Sequence, residues 1–213
     1  MKYIIMCGGH YATTSIPKQL YTVNGERIVL RTIRLLKEGG VEDIAISSHN
    51  PIFKRFGVPV LSHENKFRWN GEVVEEGAWV DAFYPTSSPA CYILGDVYFS
   101  PEAIKKIVET KTKDIEFFAS APPYSKNYIK NYAEPFAFKV ENQEHFQNAI
   151  LMTKKLQSEF KRHPIAWELW QVIKGTPLNK IDYTNYTVIN DYTTDIDIEK
   201  EALELDRLLR KLK

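Results

Sequence analysis

Three short stretches of the 213-residue sequence carry groups suited to holding a polyphosphate. The first reads "IIMCGG" and returns, after an intervening loop, as "PKQL". Gly8 and Gly9 have no side chains, so their backbone N–H groups can approach phosphate oxygens closely, and the Lys18 ammonium brings a point charge to the same anion. The second is "YILGDVYF", where Asp96 stands just past an apolar run and Gly95 leaves room beside it. A carboxylate there suits Mg²⁺, which takes one or two protein carboxylates and fills its other positions with water and phosphate oxygens. The third is "DIDIEKEAL", which sets Asp195 and Asp197 just ahead of the last helical pattern. Each stretch also has a plain structural reading. The glycines can form a turn beside a surface lysine, Asp96 can cap the helix that starts near Pro101, and Asp195 or Asp197 can cap the terminal helix. The first stretch has neither the GxxxxGK[ST] spacing nor the GxGxxG spacing, so neither of those phosphate-binding motifs is present.

The elements that must position these groups follow from hydrophobic periodicity. "YIIMC" (3–7), "DIAISS" (43–48), "VPVLS" (58–62), "ACYIL" (90–94), "DIEFFAS" (114–120), "PFAFKV" (135–140) and "YTVI" (186–189) are short, rich in β-branched or aromatic residues, and bounded by turn residues, as strands are. Helical patterns run over 27–38, closed by Gly39-Gly40, and over 101–110, 143–160 and 165–174. A last one begins at Ile198, with apolar residues at 198, 202, 205, 208, 209 and 212 that predict packing on the sheet. Strand and helix alternate through the first 120 residues, which implies a mostly parallel sheet covered on both faces. In such a sheet ligands bind beyond the carboxyl ends of the strands, where the three stretches fall.

Composition narrows the function classes. Hydrophobic residues make up 44% and charged residues 26%, as in an ordinary folded domain, and the length predicts one domain over 1–213. A formal net charge of +1 with scattered basic residues argues against nucleic acid or an acidic membrane as partner. "KYIIM" is too short for a signal-peptide core, no apolar run reaches membrane-spanning length, and Cys7 and Cys91 read as buried free thiols. A cytoplasmic setting is therefore expected. Trp167 and Trp170, close together on one helical pattern, offer either an aromatic platform for a sugar or core and dimer packing, and the aromatic-rich last third would suit a homodimer.

Taken in order, "IIMCGG" with "PKQL", "LRTIRLLKEGGVEDIAISSHN", "LGDVYF" and "DIDIEKEAL" make the chain resemble the nucleotidyltransferases of the GT-A-like α/β fold. These include molybdenum cofactor guanylyltransferases, sugar-phosphate nucleotidyltransferases, methylerythritol phosphate cytidylyltransferases and CMP-Kdo synthetases. The likeness is looser over about 120 to 185. It implies a Rossmann-like, three-layer α/β/α sandwich on a mixed, mostly parallel sheet, with residues 1–120 binding nucleotide and 121–213 binding acceptor and supplying the last helix. It also implies a loop of Cys7, Gly8, Gly9 and His10 around the triphosphate, Lys18 neutralising phosphate, and Mg²⁺ held by Asp96 and by Asp197, with Asp195 as the competing second ligand. Gly77, Trp79 and Asp81 are implied beside the base, although core packing competes as the role of Trp79. Glu134 and Lys139 are implied on the acceptor side.

The family's loop pattern GGxGxR has an arginine where this chain reads "GGHYATTSIPK". The second charge then falls to Lys66 or Arg68, or hydroxyl and imidazole donors at His10, Thr13 and Thr14 take its place. The expected reaction is Mg²⁺-dependent transfer of a nucleotidyl group from a nucleoside triphosphate, with CTP favoured, to a small phosphorylated acceptor, releasing pyrophosphate. Two readings compete. One is a glycosyltransferase of the same fold, disfavoured because Gly95-Asp96-Val97 is not an Asp-x-Asp pair. The other is a nucleotide-binding module without turnover, motivated by the absent arginine.

Overall fold

A computed structural model describes residues 1–8, 16–63, 79–121, 132–160 and 165–211. Along the chain the elements are β1 (Lys2–Met6), β2 (Thr22–Val23), β3 (Glu26–Arg27), α1 (Ile28–Glu38), β4 (Ile44–Ser47), β5 (Val60–Leu61), β6 (Ala90–Leu94), β7 (Val97–Tyr98), α2 (Pro101–Glu109), β8 (Ile115–Ser120), β9 (Pro135–Val140), α3 (Gln143–Phe160), α4 (Ala166–Lys174), β10 (Thr187–Ile189), β11 (Thr194–Asp195) and α5 (Glu199–Lys211).

Seven strands form one sheet in the order β10-β8-β9-β6-β1-β4-β5. All run parallel except β9, which pairs antiparallel with both β6 and β8. Because side chains alternate along a strand, the apolar run of β1 feeds two cores. Tyr3, Ile5 and Cys7 join Val29, Ile33, Leu36, Ile104 and Ile107 under α1 and α2. Ile4 and Met6 join Phe117, Phe138, Phe146, Trp167 and Trp170 under α3 and α4. Helices thus cover both faces of a mostly parallel sheet, giving the three layers of a Rossmann-like α/β/α sandwich.

From β1 the chain crosses to β4 and β5 on one side, then returns past β1 to place β6 on the other. The order of strands therefore reverses between β1 and β6, and their carboxyl ends are where an open α/β sheet places its ligand crevice. Two small ribbons lie beside it. β2 and β3 form a hairpin turning at Asn24 (φ 52°) and Gly25 (φ 81°), the left-handed pair that a tight hairpin turn demands. β7 pairs antiparallel with β11, opposing Tyr98 to Thr194 and Val97 to Asp195.

The terminal helix corrects one expectation. Ala202, Leu205 and Leu209 of α5 pack on Tyr21, Val23, Ile28, Tyr98 and Ile196, a third cluster built on the two ribbons rather than on the main sheet. Ile198, counted in the apolar stripe, is exposed. The stripe is real, and the surface it covers is the flank of the crevice.

Candidate active site

Each edge of the crevice is fixed by backbone before any side chain enters it. Just past β1, the Cys7 N–H donates to the Ser47 carbonyl (2.9 Å) and its own carbonyl accepts from Ser48 Oγ (2.9 Å). Gly8, also buried, continues this edge. After Pro17 a single 3₁₀ turn over Lys18–Leu20 is closed by the Tyr21 N–H on the Lys18 carbonyl (3.0 Å), and the burial of Gln19 and Leu20 seats the turn. Across the crevice the Gly95 N–H donates to the Met6 carbonyl (3.1 Å). A Cβ on Gly95 would collide with that same oxygen and stand 2.9 Å from the Cys7 sulfur. Only glycine lets the chain turn this tightly over the end of β1, and the turn aims Asp96 at the Lys18 side. The third edge comes from the β7–β11 ribbon, whose ladder is extended by the Ile196 N–H on the Asp96 carbonyl (2.8 Å).

These edges bring three side chains from far-apart stretches to one point. The Lys18 Nζ lies 2.7 Å from Asp96 Oδ2 and 2.8 Å from Asp197 Oδ1. Burial alone would lower the Lys18 pKa, but Asp96 and then Asp197 outweigh it and hold the ammonium above the ordinary lysine value. The Cys7 thiol is pushed up, first by burial and then by the charge of Asp96, so it is protonated and inert at neutral pH.

For Asp96 the plain reading gives way to another residue, and at α5 a glutamate takes part in the helix start. Ser100 caps α2, its side chain accepting from the Ala103 N–H (2.9 Å). Glu201 serves the start of α5, its carboxylate accepting from the N–H groups of Asp197 (2.7 Å) and Ile198 (3.4 Å). Between Asp195 and Asp197 the geometry chooses the latter as the partner of Lys18. The Asp195 carboxylate instead accepts from the Tyr132 hydroxyl (3.0 Å).

The donor set fits a hard divalent cation. The Asp96 and Asp197 carboxylates both face the Lys18 ammonium, which stands as a cation between them. Among the described residues no group of three or more His, Cys, Asp and Glu side chains is arranged for a metal. A pair of carboxylates matches Mg²⁺, which completes its shell with water and phosphate oxygens, better than it matches a closed protein cage.

The remaining sequence candidates fall elsewhere. Lys139 is at the opposite end of the sheet, where its ammonium donates to the carbonyls of Ile107 (3.0 Å), Val108 (2.9 Å) and Thr110 (2.7 Å) and closes the carboxyl end of α2. A strand reading cannot tell which end of an antiparallel strand meets the crevice, and β9 runs the other way. Glu134 is at the right end but wholly buried, so it is shut off from an acceptor. Cys7 keeps its N–H on Ser47, away from any phosphate. Trp79 packs edge-on against Phe83 (5.3 Å between ring centres), at the margin of the core. The Asp81 carboxylate pairs with Lys154 of α3. Trp167 and Trp170 are buried, donating to the carbonyls of Ala133 (2.9 Å) and Thr184 (3.1 Å), so they form core rather than a sugar platform. Gly9, His10, Thr13, Thr14, Lys66, Arg68 and Gly77 lie outside the described residues.

Tyr132, Thr194 and Glu201 also surround the site. Glu201 had a signal, since an acidic residue three positions after Ile198 marks a helix start. Tyr132 and Thr194 had none, because their partners are distant in sequence.

Among the solved structures similar to this chain is the inositol-1-phosphate CTP transferase from T. maritima. It aligns with a TM-score of 0.59 at 15% identity, over 97% of this chain and 95% of that one. The fold is the nucleotidyltransferase fold. At this identity the likeness is one of architecture. No family model matches the sequence, and no curated protein does. Among the described residues no helix is long and apolar enough to cross a membrane.

Proposed function

We propose that the protein is a Mg²⁺-dependent nucleotidyltransferase that joins a nucleoside monophosphate to the phosphate of a sugar or polyol. The observation that carries this reading is the meeting of Lys18, Asp96 and Asp197 at the strand-order reversal between β1 and β6. In the reaction a phosphate oxygen of the acceptor forms a bond to the α-phosphorus of the triphosphate. The bond from that phosphorus to the oxygen bridging to the β-phosphorus breaks, and pyrophosphate leaves in line. Such a transfer needs positioning and charge neutralisation more than a strong base. Asp96 and Asp197 would hold Mg²⁺, which when bound would neutralise the charge of the phosphates and of the departing pyrophosphate. Lys18, protonated throughout the neutral range, would offer its charge to the phosphate oxygens. Gly8, at the bare end of β1, borders the same crevice.

CTP is the favoured donor. The "DIDIEKEAL" stretch resembles cytidylyltransferase endings, and the T. maritima enzyme of the same fold is by its title a CTP transferase acting on inositol-1-phosphate. The test is pyrophosphate release from each of the four nucleoside triphosphates against a panel of sugar and polyol phosphates, with Mg²⁺ or with EDTA. The expected outcome is metal-dependent release with CTP and one acceptor class. Consumption of a preformed nucleotide sugar without pyrophosphate release would reassign the site to glycosyl transfer.

A further inference from the structure

Asp197 is delivered by a very short element. β11 has two residues, lies outside the main sheet and, among the described residues, pairs as a strand with β7. Backbone N–H groups alternate across a strand. The Ile196 N–H points to β7 and bonds the Asp96 carbonyl, while the Asp195 N–H points the opposite way. At that outer edge stands Glu134. Its Oε1 accepts from the Asp195 N–H (2.8 Å) and from the Thr194 hydroxyl (2.6 Å), taking the place a third strand's carbonyl would occupy.

Glu134 is itself rigidly held. Its N–H donates to Ser120 Oγ (2.7 Å), its carbonyl accepts from the Ser120 N–H (2.8 Å), and the neighbouring Ala133 carbonyl accepts from the indole of buried Trp167 (2.9 Å). The main sheet and the α3–α4 core thus reach β11 through a wholly buried carboxyl group. A polar group is costly to bury unless its hydrogen bonds are made, and here the Asp195 N–H and the Thr194 hydroxyl make them.

We infer that Glu134 is a positioning residue, which clamps Thr194 and Asp195 from the acceptor half of the molecule and so fixes where the Asp197 carboxylate stands relative to Lys18 and Asp96. It touches neither nucleotide nor acceptor. The inference rests on the functional reading above, and its first readout is independent of that reading.

The experiment compares the full-length wild type with Glu134→Ala, Thr194→Val and Thr194→Ser. Thr194→Val keeps the branched shape and removes only the hydroxyl, so it preserves the packing should Glu134→Ala fold poorly. Hydrogen–deuterium exchange of the 193–198 amides is the first readout. Both disruptive variants should exchange there about tenfold faster or more, with β1 and β6 amides unchanged, and Thr194→Ser should match the wild type. The second readout is pyrophosphate release with Mg²⁺, where kcat should fall about a hundredfold while KM for the nucleotide stays within about threefold, since displacement of a catalytic group by about 1 Å costs that much. Thr194→Ser should restore kcat. Unchanged exchange in Thr194→Val overturns the clamp, and faster exchange with wild-type kcat overturns its role in positioning. A wild type that releases no pyrophosphate from any pair of substrates overturns the functional reading instead, and the exchange result still decides the clamp.

Discussion

Two carboxylates facing one ammonium leave one negative charge over among the three groups, in a place where water is partly excluded. In the function proposed above, that excess would meet the cation accompanying a polyphosphate, and Lys18 would face the phosphates. The two aspartates of the "DID" stretch therefore have different duties although they are only two residues apart. Asp197 meets Lys18, whereas Asp195 holds Tyr132 through its side chain and Glu134 through its backbone. We predict that Asp197→Asn lowers kcat for pyrophosphate release about a hundred- to a thousandfold, the range seen when one preorganised electrostatic partner is removed, and that Lys18→Ala does the same. Asp195→Asn keeps its backbone N–H and should lose far less. A steady-state comparison of the three variants checks this, and equal losses at 195 and 197 would contradict the division of labour. The residue types and their chain order were legible without coordinates. Which aspartate meets the lysine was not, because it depends on the register of a two-residue ladder that carries no periodic signal.

At the scale of elements, the turn after β6 decides whether the site exists. Gly95 lies so close to the end of β1 that any side chain must push the two strands apart, and Asp96 is the next residue. We expect Gly95→Ala to cost about 1–3 kcal/mol, the range for overpacking a tight interior, and to reduce turnover by displacing Asp96. Thermal or denaturant unfolding together with kcat measures both effects, and an alanine variant of wild-type stability and turnover would contradict the close approach. The long strands and helices were readable because their periods repeat. β6 and β9 have the predicted ends, and α3 spans the predicted 143–160. β7 and β11 were not foreseen, since two residues cannot show a period and each is a strand only by virtue of the other. The β2–β3 hairpin did carry a local signal, Asn24-Gly25 between short extended pairs, which sequence analysis passed over. The direction of β9 was also invisible locally. Its reversal put Glu134 at the crevice and sent Lys139 to the far end, under α2.

For the whole molecule, the reversal of strand order between β1 and β6 turns separate loops into one crevice, and α5 seals its flank by packing on the ribbons that carry Tyr98 and Ile196. The main sheet supplies the rigid edges, and the last third of the chain returns to supply the second carboxylate. The central claim is that this convergence performs metal-dependent nucleotidyl transfer. Its most direct test is pyrophosphate release by the wild type and by Asp96→Asn, on the donor and acceptor pair found by the substrate panel, with Mg²⁺ and with EDTA. The account predicts release by the wild type only with Mg²⁺ and a loss of about a hundredfold or more in Asp96→Asn at unchanged stability. Release by Asp96→Asn at the wild-type rate, or wild-type release that persists in EDTA, would contradict it.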